Sequence, residues 1–479
     1  MTVLTNLIGP LYEADGKAQA AKQLINWIPE DNVPNTEYPW IWYPTPGTKT
    51  YLDTSQTEVR ALYEKGELLY AVAGDTLYSV SNTLTLTSLG TLSTNSGYVD
   101  IAEGDDELLF TDGSDVYSYL ISTANFSLVS GTSVPIATQS ITYQDGYFIA
   151  ATPDDTTYYI SNIDDGRTWD ALDFSSKGVY GDNIVAVKSF KSFLYLFGKK
   201  TSEVHVFNTN AGTAFPFNKQ QGLMLDVGCV APRSIVNAGD TFFWLARHKD
   251  GGYFICSVNQ ASPVIVSDRS MANKLNDLSR VDDCVSWAYT QQSHEFVVFN
   301  FPTSKKTYAY DLTTQQWHER SYRTTTGAHE HHIGQSYAFF DGKHLVASRI
   351  NGKILELDED TYTDNDGDEI RRLAVVGPLE SDTRTIGISN LHIQTEPGVG
   401  DGTTGQGGDP QLMLRISRDF GYTWGNTVLK SPGKQGEYRD RILWSRVGNG
   451  RSLTLEISAT DPVKWVIKGA RAELISGNS

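Results

Sequence analysis

Apolar residues along this chain recur in short alternating runs rich in Tyr, Val, Thr and Phe, and stretches with the i, i+3, i+4, i+7 spacing of an amphipathic helix are nearly absent. The pattern predicts an all-β protein. Seven units share one plan, an apolar strand, a polar turn and an alternating strand: 68–80, 108–120, 147–160, 193–207, 242–258, 296–311 and 344–357. Their starts lie about 40 to 55 residues apart, the period of a four-stranded propeller blade. Gly74-Asp75, Asp112-Gly113, Gly251-Gly252 and Asn351-Gly352 sit where tight hairpins need positive φ. Since a lone hairpin cannot bury its faces, the units are expected to stack radially, with the first strand of each buried and the later one nearer the rim. The expectation is a β-propeller of six or seven blades over residues 51–375.

Two ends fall outside the repeat. Residues 1–50 place Pro29, Pro34, Pro39, Pro44 and Pro46 among Trp27, Trp40 and Trp42, which reads as an extended segment packing along another domain. From about residue 376 to 479 the rhythm changes. Strand candidates at 389–395, 411–417, 441–446, 453–458 and 463–467 suit a small C-terminal β-sandwich-like domain. The glycine-rich stretch Pro397 to Pro410 reads as a mobile surface loop.

A chain of 479 residues with 39% hydrophobic and 20% charged residues has the composition of a water-soluble, multidomain protein. Its 57 acidic against 39 basic residues leave a net charge of −18, the wrong sign for tight, non-specific DNA binding. Cys229, Cys256 and Cys284 form neither a disulfide framework nor a zinc pattern and are expected to be buried thiols. Neither an export signal nor a membrane anchor is visible.

The sharpest local motif is Ser417-Arg418-Asp419-Phe420-Gly421-Tyr422-Thr423-Trp424, a full S-x-D-x-G-x-T-W Asp-box. Asn162 to Trp169 repeats it with Asn in first place, giving Asp164, Gly166, Thr168 and Trp169 the same roles. In such a turn the carboxylate accepts turn N–H groups, the glycine takes positive φ and the tryptophan covers the strands below. These residues are therefore expected to stabilise turns. Asp-boxes are familiar from sialidases, where they lie away from the catalytic centre. A sialidase also needs an arginine cluster and a tyrosine nucleophile activated by a glutamate, and no spacing here singles them out. His329-Glu330-His331-His332 is not H-E-x-x-H and reads as a surface hairpin or subunit contact rather than a metal site. Asp364-Asn365-Asp366-Gly367-Asp368 fails the EF-hand register and reads as an Asx-rich turn. Glu203 and His205 share a strand face, weak grounds for acid–base work. No catalytic residue, metal ligand or cofactor site is assigned, and no cofactor is expected.

Four segments resemble the packaged-DNA stabilisation family, the tail hub or nozzle proteins of short-tailed bacteriophages. They are Gln23 to Glu30 (QLINWIPE); Ser161 through Trp169 to Phe174, Asp182 to Val185, Leu196 to Gly198, Phe215 to Phe217 and Gly228-Cys229; His294 to Arg320; and Leu414 to Trp444, which includes the full Asp-box and Gly433 to Arg441. Residues 83–140 and the blade around Gly251-Gly252 match poorly. The resemblance implies a non-enzymatic virion component, made in the host bacterial cytoplasm and located in the phage tail. It would form a homo-oligomeric ring, expected to be a hexamer, below the portal and its adaptor (the head-to-tail connector). That ring would extend the DNA channel, help retain packaged DNA, and dock tail spikes or fibres and the plug or needle. Double-stranded DNA would pass without sequence-specific binding. Two other readings stay open, a sialidase-like Asp-box glycosidase and a glycan-binding adhesin module.

Overall fold

The computed structural model describes residues 2–11, 23–31, 39–131, 135, 137–178, 181–210, 214–259, 262–380, 384–439 and 441–476. Pro34, Asp440 and parts of the N-terminal segment named above lie outside them.

Seven antiparallel sheets make seven blades, which decides between the two expected counts. Blades 1 to 6 span residues 59–91, 100–128, 141–176, 184–225, 227–265 and 285–320. Blade 7 takes three strands from 334–358 and its outermost strand from Gly47–Asp53, so the two ends of the repeat are fastened in one sheet. The innermost strands of blades 7 and 1 then meet: Gln335 Nε2 donates to Val59 O at 2.6 Å and Leu62 N donates to Ser336 Oγ at 3.1 Å.

The seven hairpins read from the sequence are the second and third strands of the seven blades. The second strands lie between neighbouring blades and bury both faces, so they read as nearly unbroken apolar runs, as in Leu68–Ala73 and Phe193–Gly198, while third strands such as Thr76–Ser81 and Lys353–Asp358 keep an alternation of buried and half-buried positions. The outer strands, such as Leu86–Thr91, Asn125–Leu128 and Ser262–Ile265, are half-buried or exposed and carry no such signal. Blade 5 departs from the plan, because Val227–Cys229 and Val236–Ala238 share the innermost position against Thr241–His248. The connection from blade 5 to blade 6 holds the helix Arg269–Asn276, capped by Asp268, whose carboxylate accepts from Met271 N at 2.7 Å.

The C-terminal strands form a sandwich. One layer holds Arg372–Glu380, Ser452–Ala459, Leu412–Ser417 and Val428–Lys430; the other holds Ile467–Ser476, Ile386–Thr395 and Ile442–Gly450. The change of rhythm expected near residue 376 falls inside the strand Arg372–Glu380. The candidate strand 463–467 is instead a buried connection, and pairing begins at Ile467, because Trp465 turns inward and donates through Nε1 to Asp461 O.

The N-terminal segment is woven into this sandwich rather than laid along it. Thr2–Asn6 pairs with Ile467–Ser476, and Trp27–Asp31 with Trp40–Pro44 extends the same layer. Gln23–Ile25 enters the other layer between Arg372–Glu380 and Gln316–Arg320, the outermost strand of blade 6. Blade 6 and one sandwich layer thereby become a single nine-stranded sheet.

Ring closure leaves no room for a side chain at Gly352, where a Cβ would lie 2.4 Å from the backbone N and O of Gln56. Gly352→Ala is expected to lower stability by about 2 kcal/mol, read from the midpoint of denaturant unfolding; an unchanged midpoint would contradict this account of closure.

Candidate functional site: the propeller–sandwich joint and the Asp-box turns

Asn26, within the QLINWIPE segment, holds the joint together. It is buried at φ 55°, and its side-chain amide donates to Ser321 O at 3.0 Å and Arg371 O at 2.9 Å while its Oδ1 accepts from Ser321 N at 3.0 Å. Its backbone N–H donates to Glu319 O and its carbonyl accepts from Thr45 N. One residue thus ties blade 6, the linker into the sandwich and the entry to the ring-closing strand. Asparagine suits the place because it both donates and accepts, and it tolerates the left-handed backbone better than most residues. Beside it, Trp27 Nε1 donates to Trp465 O and Trp42 Nε1 to Gly9 O, and these indoles join a core continuous from blades 5 and 6 into the sandwich.

The Asx-rich turn lies against the same joint. Asp364 accepts from Thr48 Oγ1 at 3.0 Å, Asp366 from Thr50 N at 2.6 Å and Lys353 Nζ at 2.9 Å, and Asp368 from Tyr322 Oη at 2.7 Å. These carboxylates are already occupied by protein donors. Burial pushes Asp364 up to about 7, outweighing the Thr48 hydroxyl and the Arg372 guanidinium that act the other way, and burial likewise lowers Arg372 to about 10.

The turn at 417–424 is held by its own side chains. The Ser417 hydroxyl donates to Asp419 Oδ1 at 2.6 Å and accepts from Gly421 N, while Thr423 donates to Asp419 through N at 2.8 Å and Oγ1 at 2.6 Å. Gly421 takes φ 92°, and the Arg415 guanidinium lies over the Trp424 ring. The Ser417 and Thr423 donors hold Asp419 down to about 2, so this bonding is complete above the ordinary carboxylate range and is lost as pH falls through 2.

The second Asp-box is built differently. Its positive φ belongs to Asp164, at 53°, and the turn amide of Arg167 donates to Asp165 rather than to Asp164, which accepts from Tyr143 Oη. Gly166 has no positive φ; a Cβ there would meet Leu109 Cδ1 at 2.3 Å, and its N–H donates to the buried Glu107. Close packing against blade 2 fixes this glycine, so the chain turns two residues earlier. Trp169 keeps a covering role, with Nε1 donating to Gly166 O, and Thr168 is exposed.

Most of the remaining candidates are buried. His329 and Glu330 are half-buried in a short hairpin with Tyr322–Arg323, whereas His331 and His332 lie beyond it and are buried, and burial lowers both to about 3. Glu203 and His205 are buried in blade 4, where His205 Nδ1 meets Tyr158 Oη at 3.0 Å. All three cysteines are buried, and burial pushes Cys229 and Cys256 up to about 12. Among the described residues no cluster of three or more His, Cys, Asp or Glu could hold a metal ion. Tyr63, Tyr143 and Tyr322 donate to Glu103, Asp164 and Asp368, and burial raises each phenol, opposite to what an activated nucleophile needs. A hollow of about 620 Å³ among the loops of blades 3 to 6 has two of its cations paired, Lys199 Nζ with Asp154 at 3.0 Å and Arg280 Nε with Asp282 at 2.5 Å, while the Arg247 guanidinium lies over the Tyr253 ring.

Residues 41–362 match the family model described as "Bacteriophage P22 Gp10, beta-propeller", and residues 373–474 match "Bacteriophage P22 Gp10, beta-sandwich". The chain belongs to the bacteriophage P22 Gp10 family. Like other Gp10-type proteins it is a structural component of the virion tail, of the packaged-DNA stabilisation kind. No curated protein matches the chain by sequence. Among solved structures it is similar to the N-terminal domain of Nup159 (12% identity, 68% of this chain and 98% of that one, TM-score 0.41) and to the Neurospora crassa Pan2 WD40 domain (8% identity, 66% and 94%, TM-score 0.40). The extracellular domain of BT4673 from B. thetaiotaomicron is a third such structure (10% identity, 83% and 47%, TM-score 0.42). No described helix is long and apolar enough to cross a membrane.

Two substitutions test the joint. Asn26→Ala is expected to cost about 3 kcal/mol through its unmet buried partners, and Asn26→Gly about 1 kcal/mol less because glycine accepts the backbone conformation; equal losses in denaturant unfolding would remove the φ contribution. Asp364 binds its proton more tightly folded than unfolded, so stability falls as pH rises from about 4 to 7. Asp364→Asn is expected to abolish that slope and to stabilise the protein by roughly 2–4 kcal/mol at pH 8, measured by melts across pH.

Proposed function

We propose that this protein forms the hub of a short phage tail: a closed ring, expected to be a hexamer, below the portal and its adaptor. The ring extends the DNA channel, helps to retain packaged DNA, and docks tail spikes or fibres and the plug or needle. Its work is mechanical, with no enzymatic step and no cofactor. The observation that carries this reading is the match to Gp10 over both the propeller and the sandwich, in order along one chain. The joint supports it. A hub transmits load between a capsid and attached fibres, and a sheet hydrogen-bonded across both domains resists hinge motion better than a flexible linker.

The net charge of −18 has a place in the same reading. A channel wall with excess carboxylate repels DNA phosphates, so the genome slides without sticking and retention comes from mechanical closure.

A glycan-binding role is favoured by one feature, a hollow of about 460 Å³ lined by Tyr289, Tyr337, Phe339 and His344, where a sugar ring could stack. A glycan array tests it directly.

Electron microscopy of the purified protein mixed with portal and adaptor is expected to show a symmetric ring docked on the adaptor. Monomeric protein that never joins the adaptor would refute the hub. Isolated rings are expected to bind duplex DNA weakly; tight binding with a steep salt dependence would refute the repulsive wall.

A further inference from the structure

The charge of this chain is not spread evenly. Residues 59–176, which make blades 1 to 3, hold 17 Asp and Glu against three Lys and Arg. Residues 411–451, at the far end of the sandwich, hold eight Lys and Arg against three Asp and Glu. The fold sets these two regions at opposite ends. The nine-stranded sheet runs from the innermost strand of blade 6 through Gln23–Ile25 to Val428–Lys430, its last strand, a span of about 38 Å at the usual strand spacing. Blades 2 and 3 stand three places from blade 6 around the ring, one in each direction, so the acidic blades face away from the basic tip.

Each end also presents exposed apolar side chains. In the outer strand of blade 3, Trp169 pairs with Ser161 and Phe174 with Tyr159, so residues 170–173 bulge outward against a single partner residue. The bulge carries the exposed Asp170, the half-buried Asp173 and Leu172, which is 81% exposed, with Ile163 and Phe174 beside it. At the basic end the edge strands of both sandwich layers, Val428–Lys430 and Ile442–Gly450, lie side by side. Val428, Leu429, Tyr438 and Leu443 are exposed there, as are Lys430, Arg439, Arg441 and Arg446. These four cations make no ion pair among the described residues.

We propose that the bulge of blade 3, Asp170 to Asp173, docks on the sandwich tip of a second copy of this chain, around Val428–Lys430, Arg439 and Arg441 to Leu443. This rests on the hub reading and names the contact that closes its ring. A patch at one end that fits a different patch at the other is a head-to-tail interface, the kind that generates rings. Carboxylates flanking Leu172 meet cations flanking Leu429, so apolar burial supplies the contact while charge sets the partner and register. An exposed strand edge at the tip would otherwise pair indiscriminately, and its lysine and arginines disfavour any partner that is not acidic.

The test uses the full chain with portal and adaptor, read by electron microscopy and sedimentation. Arg439→Glu with Arg441→Glu, and separately Asp170→Lys with Asp173→Lys, are each expected to weaken ring formation at least tenfold while leaving the melting temperature near that of the parent. All four changes in one chain are expected to restore rings. Mixing Leu172→Cys with Leu429→Cys copies and adding a short bismaleimide is expected to give a covalent dimer only when ring assembly occurs, a readout independent of charge reversal. Parent rings that tolerate either reversed pair, that the four-site variant fails to restore, or that give no cross-link overturn this interface alone. A parent that forms no ring on the adaptor overturns both this interface and the hub.

Discussion

A strand edge in water must be paired, covered or charged, and the three-residue strand Gln23–Ile25 meets that requirement for two domains at once. One edge meets Glu319 of blade 6 and the other runs against Leu373 to Val375 of the sandwich. Without it, blade 6 would end in an open outer strand and the sandwich layer would lose its inner border. Asn26 follows directly, and its amide bonds to Ser321 and Arg371 fix the angle at which the chain leaves this strand for Trp27 and the opposite layer. The same N-terminal stretch then supplies the outer strand of blade 7. Propeller closure, sandwich completion and the rigidity between them thus depend on one short stretch that was legible only as an extended, aromatic-rich segment.

What could be read from the sequence was set by burial on both faces. The second strand of each blade announces itself because neighbouring blades cover both sides, the third by its alternation, and the seven hairpins stand at their places. Innermost strands such as Asp100–Glu103 and outer strands such as Asn125–Leu128 are partly wet and give mixed patterns. The blade count was not decidable from spacing, because the last blade takes its fourth strand from residues about 300 positions away, and no local period encodes such a pairing. Trp465 shows the opposite error. Its apolar run from Val463 to Ile467 looked like a strand, yet the buried indole is satisfied by a turn carbonyl and strand pairing starts only at the last of those residues.

The Asp-boxes separate motif from mechanism. Both stretches fit one pattern of residue types, but only that at 417–424 builds its turn from the motif's own serine, aspartate and threonine. In the 162–169 stretch the glycine is held by contact with blade 2, with Leu109 filling the space a side chain would need and Glu107 taking its N–H. A sequence pattern records which residues are tolerated at a turn. It does not record which neighbour made them necessary. The histidines at 329–332 make the same point: three imidazoles in four positions read as a surface hairpin or subunit contact, whereas two of them are buried packing groups between blades 6 and 7, where burial favours the uncharged ring.

Charge and fold are coupled in this molecule through position rather than through any single ion pair. Net charge alone would describe a uniformly acidic particle that repels its own copies as well as DNA. The fold instead gathers most of the acidic excess into blades 1 to 3 and carries one basic cluster outward along a sheet anchored at blade 6. In the interface proposed above, self-repulsion would be relieved in one mutual orientation, acidic end to basic end. Isolated surface pairs would contribute little to such a contact, because each is screened within about 8–10 Å at physiological salt. Two opposed clusters with apolar centres act differently: their fields steer approach over the screening length, and the apolar contact then excludes water from the charges at its margin. In the proposed ring a rigid joint would matter for this reason: two such clusters close a ring only if the angle between them is fixed within each subunit, and the strand at Gln23–Ile25 with the asparagine that follows it ties the propeller to the sandwich.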